Sequence, residues 1–390
     1  MTHATIPPAG KGRQTARSRT VKQLREWMAT GVLVAGDTLP SERELCGRLD
    51  VSLGTVQRAI RVLEDQGVIV RHGLRTRTVS AEKVASGLLR GTILVIADWK
   101  DTYRRSRTTG SGAFITAGIL ESLSHDGIPV TLFPPQHTDS PGWDTLVRQA
   151  PTGVIASEIA SAEKYSPLGA LMKARELGVP CVACGDEPEY VSFDRVVPDH
   201  EKGAYELTRW LLQNGRRRIR QMWNVSVKAN WVECRRRGYE RAMKEGGLTP
   251  LPPVTAHVGD RPDLSEEEQF RAHVESNVGA LYTVMQGDAA ADALLVINDA
   301  YVGGVAAALR ILGHEPNRDV WLAGYDDTWE DDLETHFEKT GPMVTMNRCT
   351  IETGRMLVQV LNERRNGKLQ AGPVTRSIPP RMRILADKSV

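Results

Sequence analysis

Cysteines are scarce in this chain, and long apolar stretches are missing from it. Only five of the 390 residues are cysteine, which argues against a disulfide-stabilised scaffold and indicates a reducing compartment. No apolar run approaches the ~18 residues that a membrane-spanning helix needs. Residues 1–19 carry basic side chains with no apolar core behind them, so no signal peptide is expected. We therefore expect a cytoplasmic chain with no membrane partner.

The sequence also lacks the patterns of common catalytic and metal sites. Its nine histidines show no H-E-x-x-H or other metal-ligand spacing, and it has no G-x-S-x-G or P-loop. Cys181 and Cys184 have the C-x-x-C spacing, but no second pair follows. They fall on an expected strand, where positions i and i+3 point to opposite faces. We interpret them as buried thiols, and we expect no metal, no cofactor and no enzymatic activity.

The composition is that of a globular protein, with an uneven distribution of charge. Apolar residues make up 41% and charged residues 25%, and the length predicts two to three domains. Residues 1–80 contain 13 Lys/Arg and 7 Asp/Glu, a net charge of +6, whereas the rest of the chain has a net charge of −4. A basic module on a mildly acidic body suggests a nucleic-acid partner. Charge alone does not distinguish such a module from a basic tail that aids solubility.

Three helices followed by a hairpin are predicted between residues 20 and 79. The first helix has an apolar face of Val21, Leu24, Trp27 and Met28. Ser41 and Glu44 form an S-x-x-E capping box at the start of the second helix. The third helix begins at Ser52 and ends at Gly67, with an inward stripe of Val56, Ala59, Ile60 and Leu63. Two short strands follow, at 68–70 and 77–79. This is the order of a winged helix-turn-helix.

The outward face of the third helix is suited to DNA. Gly54, Gln57, Arg58 and Arg61 face outward, with Thr55 at the edge, and such a helix fits the major groove. Arg43 on the preceding helix is placed to reach a phosphate or a guanine. The cationic hairpin suits phosphate or minor-groove contacts, and its candidate side chains are Arg71, His72, Arg75 and Arg77. The alternative is a helical bundle with a solvated basic face.

These segments resemble the GntR family of winged-helix regulators. The matching stretches are Gly36-Asp37-Thr38-Leu39-Pro40-Ser41-Glu42-Arg43-Glu44-Leu45, Val51-Ser52-Leu53-Gly54-Thr55-Val56 and Leu63-Glu64-Asp65-Gln66-Gly67. The resemblance implies DNA contacts by Arg43, Ser52, Thr55, His72 and Gly73. The family usually has Arg where this chain has Leu53 and Gln57. Because Gln57 favours adenine, we expect an operator that departs from the usual GntR consensus.

From Thr92 onward, short apolar strands alternate with amphipathic helices, the pattern of parallel sheets covered on both faces. The predicted strands are Thr92–Ala97, Pro129–Phe133, Gly153–Ala156, Pro180–Ala183, Ile219–Trp223, Ala293–Ile297 and Val320–Ala323. The predicted helices are Phe114–His125, Gly169–Leu177, Lys202–Asn214, Val232–Glu245, Glu266–Met285 and Tyr301–Leu312. Nearly 300 residues are long for one such sheet, so two α/β lobes with a cleft between them are expected.

The predicted domain organisation has four parts. A disordered tail (1–19) precedes the winged helix (20–79), and a linker (80–90) leads to a ligand-binding and dimerisation domain (91–390). Its first lobe is expected to comprise about 91–198 and 328–347, and its second lobe about 199–327 and 348–390.

Polar side chains follow several of the predicted strands. Asn298 and Asp299 follow one strand, residues 324–327 follow another, and Arg235 lies at the start of a helix. Residues at the carboxyl ends of parallel strands face the ligand crevice of an open α/β sheet, although an Asp after a strand is often only a helix cap.

The order of these signals resembles the sugar-binding domain of the LacI/GalR repressors, which have the periplasmic-binding-protein fold. The matching stretches include Leu177-Gly178-Val179-Pro180, Val197-Pro198-Asp199-His200, Arg235-Arg236-Arg237-Gly238-Tyr239, Val296-Ile297-Asn298-Asp299 and Ala323-Gly324-Tyr325-Asp326-Asp327. The resemblance implies a ligand clamp of Arg235 and Asp299, with Asn298 beside them.

This chain departs from that family at several cleft positions. A family Asp falls on Gly185, with Asp186 next to it, and the usual sugar-stacking aromatic is replaced by Arg261. Trp231 and Trp99 are candidate stacking residues, and Asp98 beside Trp99 is a further candidate. Trp329 is a further candidate for stacking. Extra Arg near the cleft would suit an acidic or phosphorylated ligand, but surface charge is the preferred interpretation.

The sequence predicts a ligand-responsive regulator, with a repressor of carbohydrate metabolism as the preferred form. Its expected partners are a double-stranded DNA operator, a sugar or sugar derivative, and a second copy in a homodimer. One alternative is a regulator with an enzyme-like body that binds pyridoxal phosphate, but the spaced signals do not match it. A solute-binding transport component has no reason to carry a winged helix. A sensor of a non-sugar small molecule also remains open.

Overall fold

In the computed structural model of the chain, the described residues are 16–29, 32–33, 36–65, 67–72, 76–80, 89–98, 111–158, 166–224, 229–257, 263–287 and 289–385. They form two compact units. The first contains the residues up to 92 together with 140–152, and the second contains 93–139 and the chain from 153 onward. Within the described ranges, no helix is long and apolar enough to cross a bilayer.

The first unit has the predicted order of three helices and a hairpin. Its elements are α1 (Ala16–Ala29), α2 (Glu42–Leu49), α3 (Leu53–Asp65), β1 (Ile69–His72) and β2 (Thr76–Val79). The two strands are antiparallel, with Ile69 opposite Val79. Because α1 begins at Ala16, the prediction of a disordered tail was wrong for the last four residues of 1–19. Residues 1–15 lie outside the described residues, as do 81–88 of the expected linker.

Local sequence signals fix the ends of the helices in this unit. The backbone N–H of Ser41 donates to Glu44 Oε2 at 2.8 Å, and that of Glu44 donates to Ser41 Oγ at 3.3 Å, so the capping box is confirmed. Gly67 has φ +67°, and its N–H donates to the Glu64 carbonyl at 2.8 Å. This positive-φ glycine terminates α3. The helices enclose a core that includes Leu24, Leu45, Val56, Ile60 and Leu63.

The second unit contains two six-stranded sheets flanked by helices. From residue 93 onward the elements are, in chain order, β3 (Ile93–Ile96), α4 (Ser111–His125), β4 (Val130–Phe133), α5 (Pro141–Arg148), β5 (Gly153–Ala156), α6 (Leu168–Glu176), β6 (Cys181–Cys184), β7 (Asp194–Pro198), α7 (His200–Gln213), β8 (Ile219–Asn224), α8 (Asn230–Glu245), β9 (Val254–Ala256), α9 (Glu266–Leu281), β10 (Ala293–Val296), α10 (Val302–Ile311), β11 (Trp321–Ala323), β12 (Val344–Asn347), α11 (Thr350–Arg365), β13 (Thr375–Ile378) and β14 (Arg381–Ile384). Of these, α5 belongs to the first unit and the others to the second. Short 3₁₀ helices at Pro188–Ser192 and Asp299–Tyr301 border the cleft described below.

Both sheets are built mainly from parallel strands, as the sequence predicted. The first has the order β13-β7-β6-β5-β3-β4, and the second β14-β12-β11-β10-β8-β9. Every neighbouring pair is parallel except β12 and β14. Central strands such as β3, β5, β6 and β10 are buried along their whole length, because helices cover both faces of a parallel sheet. We call the parts built on the first and second sheets lobe 1 and lobe 2.

The return of the chain between the lobes differs from the prediction. Residues 328–347 were assigned to lobe 1, but β12 pairs with β11 and β14 in lobe 2. Most of 348–390 was assigned to lobe 2, but β13 pairs with β7 in lobe 1. A helix of lobe 1 also holds α11: a Cβ on Gly354 would lie 2.2 Å from the Ile115 carbonyl oxygen of α4. This close helix contact requires glycine, so α11 belongs to lobe 1.

Candidate functional site

The candidate DNA-binding helix is α3. Its stripe of Val56, Ala59, Ile60 and Leu63 is buried, which confirms the predicted inward face. Gln57 and Arg58 are exposed on the opposite side of the helix. Gly54, one turn before them, is half-buried. A Cβ on Gly54 would meet nothing closer than the Arg58 guanidinium at 4.0 Å. At Gly54 the backbone of α3 is therefore not covered by a side chain of its own, and polar side chains flank it.

Ser52 and Thr55 are tied to each other at the start of α3. Their hydroxyl oxygens lie 2.9 Å apart, and the Thr55 backbone N–H donates to the Ser52 carbonyl at 2.9 Å. Thr55 is only 7% exposed, so the expected position at the edge of the outward face was wrong for this residue. Ser52 remains exposed, and it is the better placed of the two to meet a phosphate.

Gln57 is oriented by a polar network that joins α2, α3 and β2. Its Nε2 donates to Glu42 Oε2 at 2.8 Å, and Arg77 donates to Glu42 at 2.8 Å and to Glu64 at 2.6 Å. The bond from Gln57, followed by those from Arg77, lowers the pKa of Glu42. Arg77, predicted as a wing contact, is thus occupied within the domain. Gln57 keeps its Oε1 and a second N–H for an adenine edge.

Arg43 and Arg58 are exposed cations near the same end of α3. Neither has a hydrogen-bond or ion-pair partner among the described residues. His72 is exposed on β1, with its Nε2 2.9 Å from Thr78 Oγ1. Gly73 and Arg75, which were also predicted as wing contacts, lie outside the described residues. The unpaired arginines are therefore the described cations best placed to meet a DNA backbone or base edge.

Arg235 is the central cation of the candidate ligand site in the second unit. It lies in the first turns of α8 and is 4% exposed. Its guanidinium carbon lies 3.4 Å from the ring centre of Tyr325 and 4.4 Å from that of Trp231, and its Nη1 donates to the Ile297 carbonyl at 2.5 Å. Gly238, where a Cβ would lie 2.1 Å from the Glu201 carbonyl oxygen, lets α8 pack directly on α7. Rings and backbone thus hold the planar guanidinium in place.

Asp299, the second residue of the expected ligand clamp, does not pair directly with Arg235. It is fully buried, and it accepts bonds from Thr345 Oγ1 at 2.8 Å and from the Thr328 backbone N–H at 2.9 Å. Among the described residues, no hydrogen bond or ion pair joins it to Arg235. Burial, with a smaller effect of Asp326, raises the pKa of Asp299 to about 8. At neutral pH the carboxyl is therefore largely protonated and acts in packing between loops.

Asp326, not Asp299, is the carboxylate that lies next to Arg235. Its Oδ1 lies 3.7 Å from Arg235 Nη2 and 2.8 Å from Arg348 Nε. Arg348 follows β12, is 4% exposed, and donates to Glu158 at 2.9 and 3.1 Å. Although burial opposes it, the carboxylates of Asp326 and Glu158 raise the pKa of Arg348. Since Glu158 follows β5, this chain of charges runs from lobe 2 into lobe 1.

A small cavity lies between the lobes beside these charges, and we call it the interlobe cavity. Its volume is about 30 Å³, close to the space of one water molecule. Lobe 1 lines it at the carboxyl ends of its parallel strands, and lobe 2 lines it with His200 and Trp231. The lobes also meet where Asn230 Nδ2 donates to the Asp186 carbonyl at 3.0 Å. A sugar is larger than this cavity, so it can bind here only when the lobes separate.

The predicted ligand residues are partly brought together. Asp186 and Trp231 line the interlobe cavity, and Arg235 packs on Trp231. Asn298 follows β10, and its Oδ1 is buried without a partner among the described residues. Asp98 lies just beyond β3. Trp99 and Arg261 lie outside the described residues, and Trp329 packs against the lobe 2 core.

Sequence reasoning missed Glu158, Glu187 and Arg348 and did not treat His200 as a site residue. Glu158 comes two residues after β5, so the rule that found Asn298 would have found it as well. No such signal pointed to Arg348, because β12 was not predicted. Cys181 and Cys184 lie on β6 and are buried, as predicted, and burial raises the pKa of Cys181 to about 12.

Both regions match known protein families. Residues 16–77 match the bacterial regulatory proteins of the gntR family. Residues 113–277 match the periplasmic binding proteins and sugar binding domain of the LacI family. The chain thus joins a segment similar to the gntR family to a body similar to the LacI-type sugar binding domain.

The chain is similar to two named repressors. The arabinose metabolism transcriptional repressor of Geobacillus stearothermophilus is 21% identical over 351 residues, which are 89% of this chain and 92% of that protein. The repressor PurR of Aliivibrio salmonicida is 26% identical over 197 residues, which are 50% of this chain and 53% of that protein.

Solved structures share the fold of the LacI-type body. The transcriptional regulator CelR in complex with cellobiose has a TM-score of 0.57 at 20% identity, covering 86% of this chain and 90% of that chain. The Lac repressor bound to ONPG has a TM-score of 0.56 at 16% identity, covering 85% and 90%. These likenesses confirm the predicted α/β fold class with its two lobes.

Proposed function

We propose that this chain is a ligand-responsive, sequence-specific DNA-binding transcriptional regulator of carbohydrate metabolism, acting as a repressor in the cytoplasm. One observation carries the proposal: a winged helix with an exposed recognition helix and a two-lobed body with a polar interlobe cavity occur in the same chain. Its matches to the GntR and LacI families support the same assignment. The relatives named above are regulators, and no enzymatic role is proposed.

The proposed DNA contacts lie at the amino-terminal end of α3 and on the flanking helix. Arg43, Arg58 and Ser52 are exposed there, with Gln57 reading a base, and His72, Gly73 and Arg75 belong to the proposed wing. Thr55 supports this surface through Ser52. Because an operator with two half-sites requires a two-fold symmetric protein, we propose that the active form is a homodimer.

The proposed effector site is the cleft between the lobes. Arg235, Trp231 and Asp186 surround it, with Asn298 and Asp98 at the neighbouring strand ends, and Trp99 and Arg261 are kept as proposed contacts. A ligand that binds one state of the lobes better shifts their equilibrium only by that difference in affinity. Couplings of ~1–3 kcal/mol are typical, equivalent to a roughly 5- to 150-fold change in operator affinity. A small carbohydrate is the proposed effector.

A selection from random DNA tests the regulator function. The full-length chain is incubated with a randomised duplex library, the bound DNA is sequenced, and the enriched duplex is titrated at several salt concentrations. We expect a palindromic motif and an affinity that falls steeply with salt, because phosphate contacts release counterions. A thermal-shift screen against sugars then identifies the effector. Failure to enrich any sequence over repeated rounds would contradict the proposal.

A further inference from the structure

The interlobe cavity has an unusual concentration of carboxylates. Glu158, Asp186 and Glu187 all line it, and they follow the adjacent strands β5 and β6 in lobe 1. Carboxyl ends of neighbouring parallel strands meet at one edge of the sheet, which explains why three acidic side chains converge here. Any ligand that enters between the lobes meets this acidic edge.

Among the described residues, a cation pairs with only one of these three carboxylates. Glu158 receives both bonds from Arg348. Asp186 Oδ2 accepts from the Cys234 thiol at 3.2 Å, a neutral donor, and neither Asp186 nor Glu187 has an ion-pair partner among the described residues. Burial and then the charges of Asp186 and Glu158 raise the pKa of Glu187. Asp186 and Glu187 therefore present to the cavity two carboxyl groups that form no ion pair with any described residue.

His200 adds a second, independent feature to the same cavity. The side chain begins α7, is 4% exposed, and lines the cavity, yet its Nδ1 has no hydrogen-bond partner among the described residues. Buried polar atoms without a partner are rare in folded proteins. Burial, with Arg235 and Arg348 acting in the same direction, lowers the pKa of His200. The imidazole is therefore neutral at pH 7 and suits a hydroxyl group as its partner.

We infer that the effector carries a protonated amine beside hydroxyl groups, as in an amino sugar or an aminopolyol. The ammonium binds between Asp186 and Glu187, which have no ion-pair partner among the described residues, and a hydroxyl pairs with His200 Nδ1. A carboxylate or phosphate in the same place faces three carboxylates and is rejected. This inference rests on the proposed function and narrows its effector to one chemical class.

Matched ligands test the inference on the full-length chain. Calorimetry compares glucosamine, galactosamine and mannosamine with glucose, galactose and mannose, and with gluconate and glucose 6-phosphate. We expect at least one amino sugar to bind, and to bind about tenfold or more tightly than its neutral counterpart. Absence of binding by every amino sugar overturns the inference, and so does equal or tighter binding of the neutral or anionic partner.

Variants assign the preference to the cavity. Glu187→Gln and Asp186→Asn should each reduce the ratio of amino-sugar to neutral-sugar affinity at least about fivefold. The control is Glu189→Gln, an exposed position on the 3₁₀ helix that Glu187 precedes, which should leave the ratio unchanged. His200→Phe should weaken both members of a pair and preserve the ratio. A ratio that is unaffected by Glu187→Gln and Asp186→Asn overturns the proposed amine position.

The operator assay separates this inference from the proposed function. DNA binding by the full-length chain and its variants is measured with the duplex enriched from the random library. Intact operator binding together with a neutral-sugar effector overturns the amine inference alone. Loss of sequence-specific binding in the unaltered chain overturns the regulator function itself.

Discussion

Arg348 of lobe 2 and Glu158 of lobe 1 form a two-bonded ion pair across the cleft, with N–O distances of 2.9 and 3.1 Å. The Arg348 side chain is 4% exposed and that of Glu158 is 23% exposed. A guanidinium with both donors committed to one carboxylate is held in a fixed plane. The pair thus links the two sheets and fixes Arg348 next to Asp326, the neighbour of Arg235.

Removing the charge of Glu158 should destabilise the body. Glu158→Gln leaves the buried Arg348 with weaker compensation, and we expect the free energy of unfolding to fall by about 1–3 kcal/mol, somewhat less than for a fully buried pair. Chemical denaturation at pH 7 measures this loss. Glu121→Gln is the control, because the Glu121–Arg355 pair is more than half exposed at both ends and such pairs contribute little. Equal losses in the two variants would contradict the cross-lobe role.

Replacing Arg235 by lysine should abolish the response to ligand while DNA binding persists. A lysine cannot lie flat on Tyr325 and also donate to the Ile297 carbonyl, so the cleft loses its fixed cation. We expect at least a tenfold weaker effector affinity by calorimetry. Arg236→Lys is the control, because Arg236 pairs with Glu233 and Glu240 on the half-exposed side of α8. Unchanged effector affinity in Arg235→Lys would show that the clamp lies elsewhere.

The raised pKa of Asp299 predicts a pH dependence of stability. Its folded-state pKa of about 8 exceeds the ordinary value of 3.8, so the folded protein binds more protons than the unfolded chain between these values. Stability contributed by this group is therefore fully present below about pH 4 and lost as the pH rises through about 8, by up to ~1.4 kcal/mol per pH unit. Asp299→Asn should flatten this decline in denaturation series from pH 5 to pH 8. An unchanged slope would mean that Asp299 is ionised when folded.

The sequence predicted the parts of the fold that depend on local patterns. The capping box of Ser41 and Glu44 and the helix end at Gly67 involve only neighbouring residues, so both could be predicted from the sequence. The buried strands of both lobes were readable as apolar runs. Strands β13 and β14 were not predicted, since they are largely exposed and their pairing is set by distant partners. Strand β12 was also missed, although it is mostly buried. The wrong assignment of the return segments follows from these missed strands.

The candidate site shows the same limit. Arg235 was found because its motif lies within a single helix. Arg235 and Asp299 do not pair with each other, because the path of the 324–328 loop brings Asp326 to Arg235 and Thr328 to Asp299. Asp326 and Asp327 both have positive φ values, +91° and +59°. Such conformations are uncommon for residues other than glycine, and no sequence pattern predicted them.

Arg43 gives the most direct test of the DNA-binding surface. It is exposed on the first turn of α2 and has no partner among the described residues, so Arg43→Ala removes no internal contact. We expect a loss of ~1–3 kcal/mol in operator binding if Arg43 reads a guanine, with relaxed preference at that one base pair. If it contacts only a phosphate, the loss should be uniform across sequences and the salt slope should fall by about one. Fluorescence anisotropy with the enriched duplex and its single-base variants distinguishes the two cases.

Arg48→Ala, at the other end of the same helix and also exposed, is the control and should weaken binding less. Equal affinity of Arg43→Ala and the unaltered chain at every salt concentration would remove Arg43 from the interface.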